Sequence, residues 1–383
     1  MIVYLVFYLF AFILYKKKIF TLISLSIIAH LVLVFFIFEV GLGNVDYYIS
    51  DGFQYINNPE DWITDIDRAT WGYINYFEKY YDVFGVYFAK FINIPLILIF
   101  NKLLQNLFQR NLWNINIILF LPYYFYLGIS NLRDVLIMIV LLLVISNFNK
   151  KEQKHKILTF VFLLTLYTLR PFIAVITLIV LSYYWSKRRM NKNYLSKAFY
   201  LSLAFGFIFL CYLVFQSRIS QYTYNLQYYL SEGLSDRVIG RDAEQLGDPT
   251  SPLFWVKAHL RYIFTPMPHS LAINLLEHSS DLKYGLTSRV LRIINQLIYF
   301  GFIIYIFINF KKILKVLRTL SIPMKSFLLV CFTYMPIYSI FHFGGVHQRT
   351  KLPFQVCIII IGCLIYKFNK TKKIGNKKSS NFN

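Results

Sequence analysis

Charged residues are scarce in this sequence, and acids are much scarcer than bases. Charged side chains make up 15% of the 383 residues and hydrophobic ones 57%, whereas soluble domains carry roughly 25% charged residues. Cysteine is also scarce, because only four occur, all within apolar runs where they are interpreted as small hydrophobic residues. No Cys-x-x-Cys pair or Cys/His zinc spacing is present. The composition predicts an integral membrane protein without a disulfide framework, a bound metal or a cofactor.

What the chain has instead is a series of apolar runs separated by polar and basic segments. Such runs predict membrane-embedded helices, because helices satisfy their own backbone hydrogen bonds within lipid. The sequence therefore predicts an all-α, polytopic fold with about eleven apolar segments. They cover approximately residues 1–15, 19–40, 83–100, 112–130, 135–148, 157–169, 171–185, 197–215, 290–310, 325–341 and 352–366.

The basic residues follow the topology of such a fold. Six segments hold 25 of the 40 Lys and Arg residues but only one acid, Glu152. Placed in the cytoplasm they satisfy the positive-inside rule, with the N-terminus outside and the C-terminus inside. The net charge of +22 is then topological and predicts no nucleic-acid partner. The six segments are Lys16–Lys18, Lys102–Arg110, Lys150–Lys156, Lys187–Lys197, Lys311–Lys325 and Lys367–Lys378.

This topology gives a simple domain organisation. Residues 1–366 form a single transmembrane domain with two long outer loops, 41–82 and 216–289. The remaining residues, 367–383, are rich in Lys, Asn and Ser and predict a disordered cytoplasmic tail. The inner loops are short, so any chemistry is expected at the outer face.

Three segments are short for a membrane span. Val135–Phe148, Pro171–Trp185 and Leu352–Tyr366 contain 14, 15 and 15 residues, about 21–23 Å of helix against a hydrocarbon core of about 30 Å. Their outer ends are therefore predicted to lie below the outer surface, with 157–185 forming a short hairpin whose tip is Arg170. Alternatively, these helices continue into the basic clusters and the lysines snorkel to the surface.

Arginines lie at the outer ends of these short segments. Ionisable side chains at membrane depth are costly and indicate a functional site, and a guanidinium matches the geometry of phosphate oxygens. We expect Arg133 and Arg170 to approach one another and to face one cavity in the outer leaflet. Alternatively, Arg133 and Asp134 form a local ion pair at a helix start. Arg170 has no acid nearby in sequence, so its partner comes from elsewhere in the fold or from a ligand.

Two further stretches carry candidate residues. In 255–269, a helix would place Trp255, His259 and Tyr262 on one face. A histidine of this stretch is a candidate general base. Alternatively, the stretch is an interfacial helix whose cations snorkel to the surface. The turn at 342–353 is glycine-containing and crowded with basic residues. The candidate base residues are His259, His269, His347, Asp134 and Asp46, and the candidate phosphate-binding residues are Arg133, Arg170, Arg261 and Arg349.

The layout of these features resembles bacterial O-antigen polymerases and the related exopolysaccharide-polymerase-type membrane proteins. The resemblance lies in the many spans, the helix that Arg133 opens after a Gly/Ser turn, the Leu169-Arg170-Pro171 hairpin, the large outer loop and the late His347-Gln348-Arg349 turn. Asp134 stands where a glutamine often follows the first arginine in the exopolysaccharide group.

The resemblance implies a metal-independent glycosyltransferase in the bacterial inner membrane. Its substrate would be an undecaprenyl-diphosphate-linked oligosaccharide, polymerised into O-antigen lipopolysaccharide or capsule and exopolysaccharide. A chain-length regulator and a flippase would be its partners. Two alternatives are a flippase for lipid-linked oligosaccharides and a glycosyltransferase that uses a polyprenyl-phosphate sugar. A flippase should carry charges along its whole pathway, whereas the deep charges here lie mostly on one side.

Overall fold

The computed structural model describes residues 13, 58–65, 68–80, 93–108, 118, 121, 133–150, 152–189, 251–265, 267, 286–341 and 348–380. Within these ranges every regular element is a helix and no strand occurs, which confirms the predicted all-α class. The described helices are α1 (Pro59–Ile63), α2 (Ala69–Tyr80), α3 (Asn93–Leu107), α4 (Asp134–Phe148), α5 (Gln153–Leu169), α6 (Pro171–Arg189), α7 (Pro252–Phe264), α8 (Leu286–Ile308), α9 (Phe310–Thr319), α10 (Ile322–Phe341) and α11 (Gln348–Ser380).

The chain groups into two compact units. The first comprises Met1–Ala174, Met267–Lys325 and Val356–Asn383, and the second comprises Val175–Pro266 and Ser326–Gln355. The single transmembrane domain over 1–366 stays a prediction, because a helical membrane domain can contain more than one compact unit.

The centre of the first unit is a helical hairpin formed by α4 and α5. These helices are joined by a short turn and pack along one another, and α4 also packs on α3. Most of α4 is buried, consistent with its uniformly apolar sequence from Val135 to Ile145. A pair of threonine hydroxyls, Thr70 and Thr168, 2.5 Å apart, links α2 to the end of α5. The outer loop predicted at 41–82 therefore contributes helices to the packed core.

The predicted break at Arg170 is confirmed. Helix α5 ends at Leu169, Arg170 adopts an extended conformation, and α6 begins at Pro171. Proline fits the first position of a helix because no partner is required there for the missing N–H. How α5 and α6 are arranged as a hairpin stays a prediction.

The structure corrects the predictions for the C-terminal region. Helix α11 is continuous from Gln348 to Ser380, so the short span predicted at 352–366 is longer, in agreement with the alternative that the helix continues into the basic cluster, and the predicted turn at 342–353 ends earlier. Its backbone extends to Ser380, and the disordered cytoplasmic tail at 367–383 stays a prediction. Lysine is a good helix former and helices propagate cooperatively, so a basic cluster does not by itself end an apolar helix.

Few of the described helices are long and apolar enough to cross a membrane. Lys351–Thr371 within α11 is long and apolar enough to cross a bilayer, and α8 with α9 would add a second span if this bent pair acts as one. Asp134–Phe148 and Pro171–Trp185 are apolar but shorter, as predicted. The predicted runs at 1–15, 19–40, 112–130 and 197–215 lie almost entirely outside the described residues.

Gly72 allows α1 and α2 to approach closely. A Cβ atom at this position would lie 2.8 Å from the carbonyl carbon of Trp62 and 2.9 Å from the amide nitrogen of Ile63. We expect Gly72→Ala to destabilise the protein by about 1–3 kcal/mol, because backbone atoms must move to admit the methyl group. The measurement is the thermal unfolding midpoint of the protein in detergent.

Gly301 in α8 provides the matched control. A Cβ atom there would meet no other atom within 4 Å. Gly301→Ala should therefore raise stability slightly, by about 0.5–1 kcal/mol, since alanine is the better helix former. Equal midpoints for the two variants would contradict the close-approach argument.

Candidate functional site

The predicted approach of Arg133 and Arg170 is present at one end of the α4–α5 hairpin. The guanidinium of Arg133 donates from Nη1 to the carbonyl oxygen of Leu169 at 2.9 Å. The residues that follow Arg133 and Leu169 in sequence also meet. Nη1 of Arg170 lies 3.5 Å from Oδ1 of Asp134. Residues separated by 36 positions in sequence are thus placed at one site. We call Arg133, Asp134 and Arg170 the arginine–aspartate cluster.

The cluster forms where α4 begins and α5 ends. Asp134 is the first residue of α4, where an acid is favoured by the helix dipole. Arg133 donates to the last residue of α5, where a cation is favoured for the same reason. The sequence interpretation of a local Arg133–Asp134 pair is therefore incomplete, because Asp134 contacts the other arginine. Arg170 therefore has a partner from elsewhere in the fold, Asp134, which is one of the two possibilities predicted from the sequence.

The backbone of Arg170 is also fixed on both sides. Its N–H donates to the carbonyl of Leu166 at 2.8 Å, and its carbonyl accepts from the amides of Ile173 at 3.1 Å and Ala174 at 3.3 Å. The guanidinium carbon lies 5.5 Å from the ring centroid of Phe172. Arg170 therefore joins the end of α5 to the start of α6, and its side chain is held beside Asp134.

Burial makes the charges of this cluster significant. The side chains of Arg170 and Asp134 are 12% and 9% exposed, and Arg133 is buried as well. Bringing charges out of water is costly unless they are paired. Among these three side chains, two formal positive charges face one negative charge. Asp134 thus supplies part of the negative charge that two neighbouring arginines require.

The opposite end of the hairpin is fixed by neutral and ionic contacts. Nδ1 of His155 lies 2.7 Å from Oδ1 of Asn147, and Glu152 forms an ion pair with Lys154 at 2.7 Å. The His155–Asn147 contact joins α5 to α4 near the turn, whereas the Glu152–Lys154 pair is local to the start of α5. The hairpin is thus held by contacts between the two helices near both of its ends.

Helix α7 in the second unit carries the candidates His259 and Arg261. Ser251 caps its start by accepting from the amide of Leu253 at 3.3 Å. The buried face contains Phe254, Ala258 and Tyr262, so Trp255 and His259, predicted to share the face of Tyr262, lie partly exposed beside it. Arg261 is partly exposed as well.

The ring of His259 is oriented by the helix itself. Nδ1 lies 2.7 Å from the carbonyl oxygen of Trp255, and since a carbonyl only accepts, Nδ1 carries the hydrogen. In the neutral ring Nε2 is then the atom that can accept a proton. This geometry is compatible with the predicted base role, which stays a prediction.

Lys351 is the residue of this region that sequence reasoning did not select. It is fully buried near the start of α11, and its ammonium donates to the carbonyls of Ile263 at 2.7 Å and Thr265 at 2.6 Å. It also lies 5.9 Å from the ring centroid of Tyr262. Lys351 thus caps the C-terminal end of α7. In the sequence Lys351 is one of several basic residues of the turn at 342–353, beside the apolar run that begins at Leu352.

We expect Lys351→Met to destabilise the protein by about 2–4 kcal/mol. Methionine preserves the apolar stem but removes the donor for two carbonyls, and each unsatisfied buried group costs about 1–3 kcal/mol. Thermal unfolding in detergent and proteolysis within 251–267 are the measurements. Lys257→Met, at an exposed position of α7, should change stability by less than about 0.5 kcal/mol. Equal effects of the two changes would contradict the capping role.

The remaining candidates are not placed by the structure. Asp46, His269 and His347 lie outside the described residues, and Arg349 lies in the first turn of α11 with its side chain outside the description. In the described ranges no group of three or more His, Cys, Asp or Glu side chains could hold a metal ion. The common cavity for Arg133 and Arg170 stays a prediction.

Two cavities are defined elsewhere in the first unit. One of about 370 Å³ is lined partly by Val316, Thr319, Lys367 and Thr371. The other, about 460 Å³ and mostly apolar, lies between α8 and α11 beside Gly301 and Gly362.

Comparison of the chain with protein-family models, curated sequences and solved structures finds no match. The functional argument therefore depends on the residues themselves.

Proposed function

We propose that the protein is a polytopic membrane glycosyltransferase that polymerises lipid-linked oligosaccharides at the outer leaflet of a bacterial inner membrane. It would transfer a growing glycan from an undecaprenyl-diphosphate carrier to a new repeat unit. The observation that carries this proposal is the arginine–aspartate cluster. The fold brings the buried Arg133 and the largely buried Arg170 to one site at the end of two apolar helices.

Exposed apolar surface supports placement in a membrane. Helix α5 is apolar around most of its circumference, and Ile157, Phe160, Val161 and Leu164 form an exposed stripe at helical spacing. A helix that is hydrophobic all round is expected inside a core or in lipid, and exposed patches of this kind mark contact with a membrane or a partner. Together with the basic segments assigned to the cytoplasm, this stripe favours a lipid-facing surface and an N-out, C-in orientation.

The chemistry requires stabilisation of a diphosphate leaving group. A hydroxyl oxygen of the acceptor sugar forms a bond to the anomeric carbon of the donor glycan, and the bond from that carbon to the diphosphate oxygen breaks. The leaving diphosphate gains negative charge, which fixed arginines in a site of low dielectric constant stabilise. The acceptor proton passes to a histidine or carboxylate base. Asp134 already pairs with Arg170, so we assign it a positioning role.

Reconstitution gives a direct test. Purified protein in liposomes, supplied with undecaprenyl-diphosphate-linked oligosaccharide and no nucleotide sugar, should lengthen the glycan into a ladder of repeat units. The readout is gel separation of the glycans with release of undecaprenyl diphosphate. Movement of the lipid-linked oligosaccharide across the bilayer without new glycosidic bonds would replace the polymerase with a flippase. Incorporation of single sugars only would indicate the other glycosyltransferase class.

A further inference from the structure

Helix α9 combines a dense group of cations with apolar side chains. Its sequence, Phe-Lys-Lys-Ile-Leu-Lys-Val-Leu-Arg-Thr, contains four cations and no acid. At 100° per residue, Phe310 and Leu314 share one side of the helix, and Lys311, Lys315 and Arg318 lie along its neighbouring side. A short helix of this pattern is typical of helices that lie in a membrane interface.

The direction of α9 is set by a sharp bend at Asn309. The axes of Ile293–Ile308 and Phe310–Thr319 differ by 92°. The side chain of Asn309 donates to the carbonyl of Tyr305 at 2.9 Å and accepts from Nζ of Lys312 at 2.9 Å. Nδ2 of Asn369 in α11 lies 3.4 Å from the same oxygen of Asn309. The bend is therefore fixed by specific contacts within the first unit.

The apolar surface continues across this bend. Phe307 and Ile308, the last two residues of α8, are 80% and 75% exposed, and Phe310 and Leu314 of α9 are 66% and 63% exposed. In contrast, Val316 on the other side of α9 is buried. Lys311, Lys315 and Arg318 are exposed next to the apolar residues. Large exposed apolar groups therefore stand close in sequence on both sides of the bend, and on α9 they are bordered by cations.

We propose that α9 lies on the cytoplasmic surface of the bilayer and binds anionic lipid headgroups. Phe310 and Leu314 enter the acyl region, and Lys311, Lys315 and Arg318 contact phosphates of the headgroups. The proposal rests on the polytopic membrane placement in the proposed function, with α8 as the crossing segment predicted at 290–310 and α9 outside that span, but not on the glycan chemistry. A helix perpendicular to a membrane-crossing helix lies in the plane of the interface.

Charge and continuity favour a bilayer over a protein partner. The apolar residues of α9 extend the exposed end of α8, which itself contacts lipid in the proposed placement. The cations match the negative potential of the cytoplasmic leaflet, to which each surface lysine or arginine adds attraction. A protein partner would have to cover the same apolar end of α8 and displace lipid.

The first experiment measures lipid-dependent stability of the full-length protein. The protein is placed in nanodiscs of phosphatidylcholine with increasing fractions of phosphatidylglycerol, and its thermal unfolding midpoint is recorded. Preferential binding of a lipid to the folded state raises this midpoint. The apparent affinity for phosphatidylglycerol should fall about tenfold in the Lys311→Gln, Lys315→Gln double variant, and high salt should weaken the wild-type response.

The matched control is Lys154→Gln with Lys156→Gln, two exposed lysines of another predicted cytoplasmic segment. This control should retain the wild-type response to phosphatidylglycerol within about twofold, because Lys154 already pairs with the acid Glu152 and the exposed apolar residues of α5 lie along a predicted membrane-crossing helix and not in the interface. Equal responses of the wild type and the Lys311→Gln, Lys315→Gln protein would overturn the proposal.

A second experiment locates α9 directly. A diazirine-bearing residue at position 314 should crosslink to lipid in nanodiscs that contain phosphatidylglycerol, whereas one at position 154 should not. Crosslinking of position 314 in cells to a protein, with no lipid product, would assign the surface to a protein partner and overturn the lipid proposal. Carbonate extraction distinguishes failure of the membrane placement from failure of the lipid-binding role of α9. Release of the protein from membranes would contradict the membrane placement. Retention in membranes without lipid crosslinking at position 314 would contradict only the role of α9.

Discussion

Replacing Arg170 by lysine is expected to reduce glycan polymerisation about 100-fold or more, while the protein remains in the membrane. Lysine preserves the positive charge but loses the planar set of donors that matches a diphosphate. A donor directed at the charge of a transition state contributes about 3–4 kcal/mol, and each 1.36 kcal/mol is tenfold in rate. The measurement is the ladder of polymer lengths in a strain that lacks the native gene.

Arg68→Lys is the matched control for this substitution. Arg68 also pairs with an aspartate, with its Nε 3.7 Å from Oδ2 of Asp65, but both side chains are 31% exposed. Exposed pairs contribute little to stability, so this variant should produce a ladder within about twofold of the wild type. A normal ladder from Arg170→Lys would identify Arg170 as a structural anchor and would move the phosphate-binding proposal to Arg349.

Reversing the charge of Asp134 is expected to remove most of the folded protein. Asp134→Arg places three arginines at one buried end of the α4–α5 hairpin. Breaking a buried pair by removing one partner costs about 3–5 kcal/mol, and the added cation opposes the helix dipole at the start of α4. Protein abundance in the membrane fraction and the unfolding midpoint in detergent are the measurements.

The double exchange, Asp134→Arg with Arg170→Asp, separates structure from function. It restores one carboxylate between two arginines, so most of the folded protein should return. Recovery is incomplete because arginine at position 134 meets the unfavourable end of the α4 dipole, at a cost of about 0.3–1 kcal/mol. Aspartate at position 170 meets the unfavourable end of α5 but also the favourable start of α6. Polymer synthesis should stay at least about 100-fold reduced, because the cation at position 170 is lost.

Two other results of this exchange are informative. A full recovery of polymer length would mean that the pair is only structural and that no ligand requires the cation of Arg170. No recovery of folded protein would mean that Arg170 is needed for the α5–α6 junction itself, beside Phe172 and the amide of Ala174. In that case Arg170→Lys should also reduce protein abundance.

Local sequence was sufficient where a single residue controls the backbone. The break between α5 and α6 could be predicted, because Pro171 lacks an N–H and fixes its own φ angle. The limits of α4 were predicted to within one residue at its start, since apolar residues end at a polar segment on both sides. The proximity of Arg133 and Arg170 followed as well, because adjacent helices of similar length that turn back on one another bring their outer ends together.

Local sequence was insufficient where a basic residue has several possible roles. The sequence left open whether lysines 367–378 end the last helix or continue it, and α11 runs through them. Lys351 lies among the basic residues of the turn predicted at 342–353 and was not singled out, whereas it is buried and donates to carbonyls at the end of α7. The charge of lysine does not specify whether it reaches headgroups, caps a helix or simply continues one, because its long stem permits all three.

The sequence by itself determined the helical class, the break at Arg170 and the pairing of the two arginine-bearing ends, because apolar periodicity, proline and segment length act locally. The tertiary structure alone decided that Asp134 pairs with Arg170, that Lys351 caps α7 and that α9 turns through 92° at Asn309. Those outcomes depend on which side chains meet across helices that are distant in sequence. A buried charge takes the nearest compensating group, and only packing determines which group that is.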